Sequence, residues 1–261
     1  MRETRHAITV EGTCIAVRHL PAGRATDRAG LVWLGGFRSS MDGTKANALA
    51  AMAAGEELSL LRHDYSGHGE SGGAFEAGTI SRWLAESLAV FDRFTDGPQV
   101  LVGSSMGAWI ALRMVQELAN RGDGARIAGL LVIAPAPDFT TMLRRPALTP
   151  EQENALMRDG RIELPSRYDD GPYVYTRALF EDGEVNRVLT GPLDTHCPVH
   201  IIHGTEDADV PLAHGLRLME HLPADNVTLS IVRGGDHRLS RDDDLRLILA
   251  SALRLAGSPG A

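Results

Sequence analysis

Val100-Leu101-Val102-Gly103-Ser104-Ser105-Met106-Gly107-Ala108-Trp109 is the stretch that decides the fold. Three apolar, strand-forming residues run into Gly-x-Ser-x-Gly, and a good helix-forming segment continues to Asn120. A serine hydroxyl is a weak nucleophile unless a strained turn presents it beside a base. Glycines on either side let a helix and a neighbouring strand pass close to such a turn. Ser105 is therefore the candidate nucleophile. Patterns of two glycines and a serine also arise by chance, but the strand before this one and the helix after it set it apart. Ser104 has the wrong offset from both glycines.

Working outward, apolar runs suited to buried parallel strands recur at Leu31 to Leu34, Ser59 to His63, Leu130 to Ile133, His200 to His203 and Leu229 to Val232. Helical stretches lie between them, at Asn47 to Glu56, Ile80 to Phe94, Ala108 to Asn120, His214 to His221 and Asp242 to Leu255. The alternation predicts an α/β fold, a mostly parallel central sheet covered by helices on both faces. Thr9 to His19 alternates like a half-exposed strand and is expected to open the sheet as an antiparallel edge or hairpin. From about Pro135 to Pro192 the alternation stops, and Pro, Arg and acidic residues become dense. We expect residues 1–134 and 193–261 to form the core and 135–192 a small helical lid. Within the lid, Pro150 to Arg158 reads as a helix capped by Thr149 and Tyr173 to Asp182 as a second helix.

A serine nucleophile needs a base and an acid to orient it, and around an elbow of this kind they follow in the order nucleophile, acid, histidine. Gly234-Gly235-Asp236-His237 supplies the histidine, on a turn after the last strand that can aim an imidazole back at the serine. A lone loop histidine is otherwise a solvated surface residue. His203-Gly204-Thr205-Glu206-Asp207-Ala208-Asp209-Val210-Pro211 offers three carboxylates just past a strand. Asp207 has the best position, Asp209 reads as a cap for the next helix, and Glu206 is the weaker alternative. Two backbone N–H donors for an oxyanion are expected from Met106, which follows the nucleophile, and from Phe37, which ends Leu34-Gly35-Gly36-Phe37. A plain strand-to-loop glycine turn is the bland alternative at Phe37, and the two are compatible.

Other readings are weaker. Asp64-Tyr65-Ser66-Gly67-His68-Gly69-Glu70-Ser71-Gly72-Gly73 lacks the lysine and spacing of a P-loop and the spacing of a dinucleotide site, so a tight turn beside the pocket is expected. His196, Cys197, His200 and His203 cluster in sequence, but His200 and His203 fall on opposite faces of a strand and cannot converge on one ion. Asp242-Asp243-Asp244 opens a helix, where the dipole favours negative charge. No cofactor or metal is expected.

The net charge of −8 gives no positive field for a phosphate backbone, so nucleic acid is not an expected partner. The single lysine, Lys45, among many arginines reads as the signature of a GC-rich bacterial genome. Cys14 and Cys197 read as free thiols. Met1 to Leu20 lacks the apolar segment of a signal peptide and no apolar run is long enough to span a bilayer, so a cytoplasmic protein without membrane insertion is expected. Oligomeric state carries no signature in the sequence.

With these residues placed, the chain resembles the α/β-hydrolase superfamily throughout. Within it, the chain is similar to a mitochondrial group of acyl-glucuronide esterases and depalmitoylating thioesterases. The likeness rests on Gly36-Phe37, Ser40-Met41-Asp42-Gly43-Thr44-Lys45-Ala46, Asp64-Tyr65-Ser66-Gly67, Asp96-Gly97-Pro98-Gln99, Pro165-Ser166-Arg167-Tyr168 and Asp236-His237-Arg238. It implies a small-molecule acyl ester or thioester as substrate, Ser105, Asp207 and His237 as triad, and Phe37 and Met106 as oxyanion donors. No transit peptide is expected, unlike in that group, and the residues differ through much of the lid, Pro146 to Asp159 especially. Met142, Leu143, Tyr168 and Tyr173, with Leu156, Tyr175 and Phe180, are the candidate pocket-facing lid residues, although core packing serves each equally well. Acyl transfer or perhydrolysis by the same triad is an alternative, as is a non-catalytic ligand-binding protein on the same scaffold.

Overall fold

The computed structural model describes residues 2–23, 27–166, 171–223 and 226–257. The chain opens with a hairpin of β1 (Thr4–Val10) and β2 (Thr13–Leu20), joined through Glu11 and Gly12, both at positive φ. Positive φ at both central residues is the type I′ arrangement, whose twist matches the flanking strands. The alternation read from Thr9 to His19 is thus the end of one strand and most of the next. Then follow β3 (Gly30–Leu34), α1 (Thr44–Gly55), β4 (Leu60–His63), α2 (Ile80–Phe94), β5 (Gln99–Ser104), α3 (Met106–Asn120) and β6 (Ile127–Ile133). After an excursion come β9 (Val199–Gly204), α6 (Leu212–His221), β10 (Val227–Val232) and α7 (Asp242–Ala256).

Among the described residues the main sheet has eight strands in the order β1-β2-β4-β3-β5-β6-β9-β10. The pairings β1 with β2 and β2 with β4 are antiparallel, and the rest are parallel. The strand interiors divide with period two. Leu101, Leu130, Val132 and Ile201 join the core cluster under α2, α3 and α6. Val100, Val102, Leu131, Ile133 and Ile202 join the one under α1 and α7. Both faces of each central strand are dry, which is why these strands read as unbroken apolar runs.

The excursion between β6 and β9 starts with a π-helical turn at Thr140–Arg144 and continues with α4 (Pro150–Asp159), β7 (Arg161–Leu164), β8 (Tyr173–Thr176) and α5 (Arg177–Val185). Thr149 caps α4, accepting from Gln152 N–H while the Gln152 side chain accepts from Thr149 N–H. The helix expected over Tyr173 to Asp182 is corrected: Tyr173-Val174-Tyr175-Thr176 is a strand paired antiparallel with β7, and helix begins only at Arg177. Aromatic and β-branched residues in alternation favour a pleated pairing, and Thr176 then caps α5 by accepting from Leu179 N–H. The buried Asp138 carboxylate ties the two ends of the excursion together by accepting from Val188 and Leu189 N–H. Burial pushes that carboxyl up, against those two hydrogen bonds and the nearby Arg187. No helix among the described residues is long and apolar enough to cross a membrane.

Candidate active site

The turn after β5 is the structural centre of the site. Ser105 sits at φ 55°, ψ −118°, outside the regions that L-residues favour, and α3 starts at the next residue. The two flanking glycines are required by contact. A methyl group on Gly103 would lie 2.5 Å from Gly107 O and 2.7 Å from Ala108 Cα. One on Gly107 would lie 2.0 Å from Leu34 O and 2.5 Å from Gly35 O. The helix therefore passes directly over β3, and the strained turn is held between Ser105 N–H donating to Ile133 O and Ala136 N–H donating to Ser105 O.

His237 reaches this turn from the loop after β10. Gly235 leaves no room for a side chain between Gly204 and Leu239, and Gly234 takes a positive φ of 67°. Asp207 reaches it from the loop after β9. Its Oδ1 accepts from Asp209 and Val210 N–H, at 3.0 and 2.8 Å, which fixes the carboxylate plane. Its Oδ2 lies 2.8 Å from His237 Nδ1, and His237 Nε2 lies 3.0 Å from Ser105 Oγ. Burial of Asp207 works to raise its carboxyl, but the His237 hydrogen bond, attraction to that ring and the two backbone donors outweigh it and hold the group below the usual carboxylate range. An ionised carboxylate only accepts, so the His237 proton is on Nδ1 and its Nε2 lone pair faces the serine hydroxyl. Three residues spread over 132 positions of the chain form one hydrogen-bonded chain.

The profile of the alpha/beta hydrolase family matches residues 29–248. The chain belongs to that family. Among its relatives is the protein named palmitoyl-protein thioesterase ABHD10, mitochondrial, of Mus musculus, 30% identical over 223 residues that cover 85% of this chain and 73% of the relative. A solved structure of a putative hydrolase from Agrobacterium vitis S4 superposes with a TM-score of 0.95 at 48% identity, covering 98% of this chain and 100% of the other. The mouse alpha/beta hydrolase domain-containing protein 10 gives a TM-score of 0.85 at 27% identity, covering 97% and 98%.

In this hydrolase-family chain a cavity of about 200 Å³ opens at Ser105. Phe37 and Met106 both border it. Gly36 packs so closely that a methyl on it would lie 3.3 Å from Ser104 O and 3.4 Å from Ser105 Cβ. This brings the Phe37 backbone beside the serine. Met106 is the first residue of α3, where a helix leaves its N–H groups without intrahelical acceptors.

The Phe37 ring stacks on Tyr175 at 5.2 Å and meets Phe75, Phe139 and Tyr173 edge-on, coupling this loop to the excursion. A residue missed from sequence, His68, supports the same loop. Its Nε2 accepts from Arg38 N–H at 3.1 Å and its Nδ1 donates to Ser66 O at 3.1 Å. Burial pushes His68 down to about 4, so the ring stays neutral and can play both roles. The glycine-rich loop carrying it is a structural turn: Asp64 accepts from Met41 and Glu70 N–H, and Gly69 leaves no room for a side chain beside that carboxylate.

Of the lid candidates, Leu143, Tyr173 and Tyr175 line the cavity. Met142 is corrected: it lies one position along the π-helical turn and packs against the core without bordering the cavity. Leu156 and Phe180 are likewise core residues, and Tyr168 lies outside the described residues. Asp209 is also corrected. The helix after it is capped at Pro211 with no side-chain bond, whereas Asp209 borders the cavity 3.6 Å from Arg144 of the lid. Asp207, Asp209 and His237 place possible metal-ligating atoms within 4.8 Å of one another, but Asp207 and His237 are already bonded to each other. His200 and His203 point to opposite faces as period two demands: His200 meets Ser230 and Arg254, and His203 meets Val210 O.

Proposed function

We propose that the protein is a serine hydrolase that cleaves carboxylic esters or thioesters through an acyl-enzyme. The observation that carries this is the continuous chain from Ser105 Oγ through His237 to Asp207, at 3.0 and 2.8 Å, on a strained turn at the floor of a cavity. His237 Nε2 takes the Ser105 proton as Oγ bonds to the acyl carbon, and the carbonyl oxygen becomes an oxyanion held by the N–H groups of Phe37 and Met106. The intermediate collapses, the C–O or C–S bond breaks, and His237 gives its proton to the leaving alcohol or thiol. Water then enters and bonds to the acyl carbon as it loses a proton to His237; this second intermediate collapses, the bond to Ser105 Oγ breaks as His237 returns the proton to Oγ, and the acid leaves. Asp207 stays ionised throughout and keeps the imidazole in the useful tautomer.

The relative's name, a palmitoyl-protein thioesterase, supports including thioesters. The cavity, about 200 Å³, lies below the range of about 300–1,000 Å³ that holds drug-sized ligands, so short acyl groups fit it best. The test is hydrolysis of p-nitrophenyl esters of increasing acyl length by the wild type and a folded Ser105→Ala variant. Loss of turnover in the variant, with rates falling as the chain lengthens, is the expected result. Turnover that survives the substitution removes Ser105 from the nucleophile's role, and absence of turnover and of fluorophosphonate labelling in both proteins favours a binding protein. An alcohol or peroxide that outcompetes water for the acyl group makes the enzyme a transferase or perhydrolase.

A further inference from the structure

His203 is an imidazole at a position where the rest of the strand face is hydrocarbon. It lies in β9, Val199–Gly204, paired with Ile231 of β10, and shares a face with Ile201, which packs in the core under α2, α3 and α6. The ring is fully buried, and α6 lies directly on it: a methyl on Gly215 would stand 2.4 Å from its Nδ1. A hydrocarbon side chain there would give up no hydrogen bond to water, whereas a buried imidazole needs partners for both nitrogens. It finds one. Nε2 donates to Val210 O at 2.9 Å, and Nδ1 has no hydrogen-bond partner among the described residues.

That one bond closes the loop that carries the acid. Val210 is pinned at both of its backbone polar groups: its N–H donates to Asp207 Oδ1 at 2.8 Å, and its C=O accepts from His203. The loop from Thr205 to Val210 is thus fastened back onto the strand it leaves, and Pro211, which has no N–H, follows as the N-cap of α6. His203 Nε2 also stands 3.6 Å from Asp207 Oδ2, the oxygen that accepts from His237 Nδ1 at 2.8 Å. Asp207 therefore lies between two imidazoles, and the one on β9 has to stay neutral, because an imidazolium at that distance would compete with His237 for the carboxylate's charge. Burial keeps it so, pushing His203 down against the Val210 hydrogen bond and the attraction of Asp207. Among the described residues the other titratable groups near the ring are His237, from the loop after β10, and His214 of α6, which donates from Nε2 to Pro137 O at 2.7 Å and is itself pushed down by burial.

We propose that His203 is a positioning residue for the hydrolysis: by holding Val210 and flanking Asp207 Oδ2, its Nε2–H aims the acid at His237. This rests on the reading of Ser105, His237 and Asp207 as the triad. A ring that only fills space accounts neither for the donor aimed at Val210 nor for the second nitrogen left unpaired, and a hydrocarbon of similar volume would fill the same space at less cost.

The test compares His203→Leu, which removes the donor, with His203→Gln, whose amide nitrogen can take the place of Nε2. Two readouts are taken on the full chain: kcat and KM for a short p-nitrophenyl ester, and long-range 1H–15N correlations of the histidine-15N-labelled protein at about pH 8, above the ordinary histidine range, which report the nitrogen that carries each ring proton. In the wild type the proton of His203 is expected on Nε2 and that of His237 on Nδ1. His203→Leu should lower kcat by about ten- to a hundredfold, the scale of one buried hydrogen bond lost, with KM little changed, and should move His237 toward a mixture of tautomers. His203→Gln should bring back most of kcat and the Nδ1-protonated His237.

A folded His203→Leu protein with wild-type kcat and an unshifted His237 overturns the proposal, because a purely structural ring would change the melting temperature without moving the tautomer. A His203→Gln protein that loses as much as His203→Leu, or a wild-type His203 protonated on Nδ1, overturns it too. Should His203→Leu not fold, Gly215→Ala takes its place: the methyl meets Nδ1 and displaces the ring with its chemistry intact, so unchanged kcat and His237 signals in that variant are equally fatal. The tautomers are read without substrate and decide the matter even where no ester is turned over. Failure of the triad reading looks different: turnover then survives in Ser105→Ala, or His237 of the wild type carries its proton on Nε2, and the proposal falls with that reading.

Discussion

Replacing Asp207 by Asn separates the carboxylate's charge from its geometry. Oδ1 already accepts from two backbone N–H groups, those of Asp209 and Val210, while Oδ2 meets His237 Nδ1. An asparagine has one acceptor oxygen, and the two backbone donors claim it. Its NH2 is then turned toward His237, which must present an unprotonated Nδ1 and move its proton to Nε2. That proton points at Ser105 Oγ, 3.0 Å away, so the imidazole can no longer take the serine's proton. The loss expected from a wrong tautomer is about 10⁴ in kcat, or about 5 kcal/mol of transition-state stabilisation. Because the backbone hydrogen bonds survive, the melting temperature and circular dichroism should change little. The assay is steady-state hydrolysis of a short p-nitrophenyl ester by the wild type, Asp207→Asn and Asp209→Asn. Asp209 is the informative control, since its carboxylate lies close to both Asp207 and His237 and 3.6 Å from Arg144 of the lid. If Asp207→Asn stays within about tenfold of the wild type while Asp209→Asn is inactive, the orienting acid is misassigned and the tautomer reasoning fails.

Two further predictions concern the scaffold. Gly107→Ala places its methyl against the Leu34 and Gly35 carbonyl oxygens, which are backbone and cannot swing aside, so destabilisation at the top of the range of about 1–3 kcal/mol for overpacking is expected, with loss of esterase activity. Gly55→Ala, at the end of α1 with open space around it, should be neutral or slightly stabilising; urea denaturation of the pair makes the comparison, and equal midpoints would contradict it. The second concerns pH. Burial pushes both His63 and His68 down to about 4. Between that value and the unfolded value of about 6.5 the unfolded chain binds protons that the native state does not, so stability is fully present above the upper limit and falls with pH, by about 3 kcal/mol per ring once below 4. Denaturant midpoints measured from pH 7 to pH 4 should decline through that window in the wild type and more shallowly in His63→Gln; identical slopes would show that His63 does not titrate this way.

The sequence by itself determined the core. Strands covered on both faces are apolar at most positions, so β3, β5, β6 and β9 announce themselves locally, and an elbow needs its glycines where no side chain fits. Ser105, Asp207 and His237 were legible for the same reason, since each sits on the turn directly after a strand and strand ends are visible in the pattern. The lid was less legible. Tyr173 to Thr176 forms a strand because β7 is there to pair with it, and a four-residue aromatic segment carries no periodicity long enough to exclude a helix.

What only the tertiary structure decided are the contacts between segments distant in the chain. His68 supports the Arg38 amide, Asp209 faces Arg144 across the cavity in place of capping its own helix, and Leu143 borders the cavity while its neighbour Met142 packs on the core. The lone lysine, unremarkable as composition, ends up between two cavities with its ammonium against the Arg238 carbonyl. Strand and helix periods are set by each residue's immediate neighbours and can be read from them. The direction a loop side chain takes is set by whichever partner the completed fold brings within hydrogen-bonding distance.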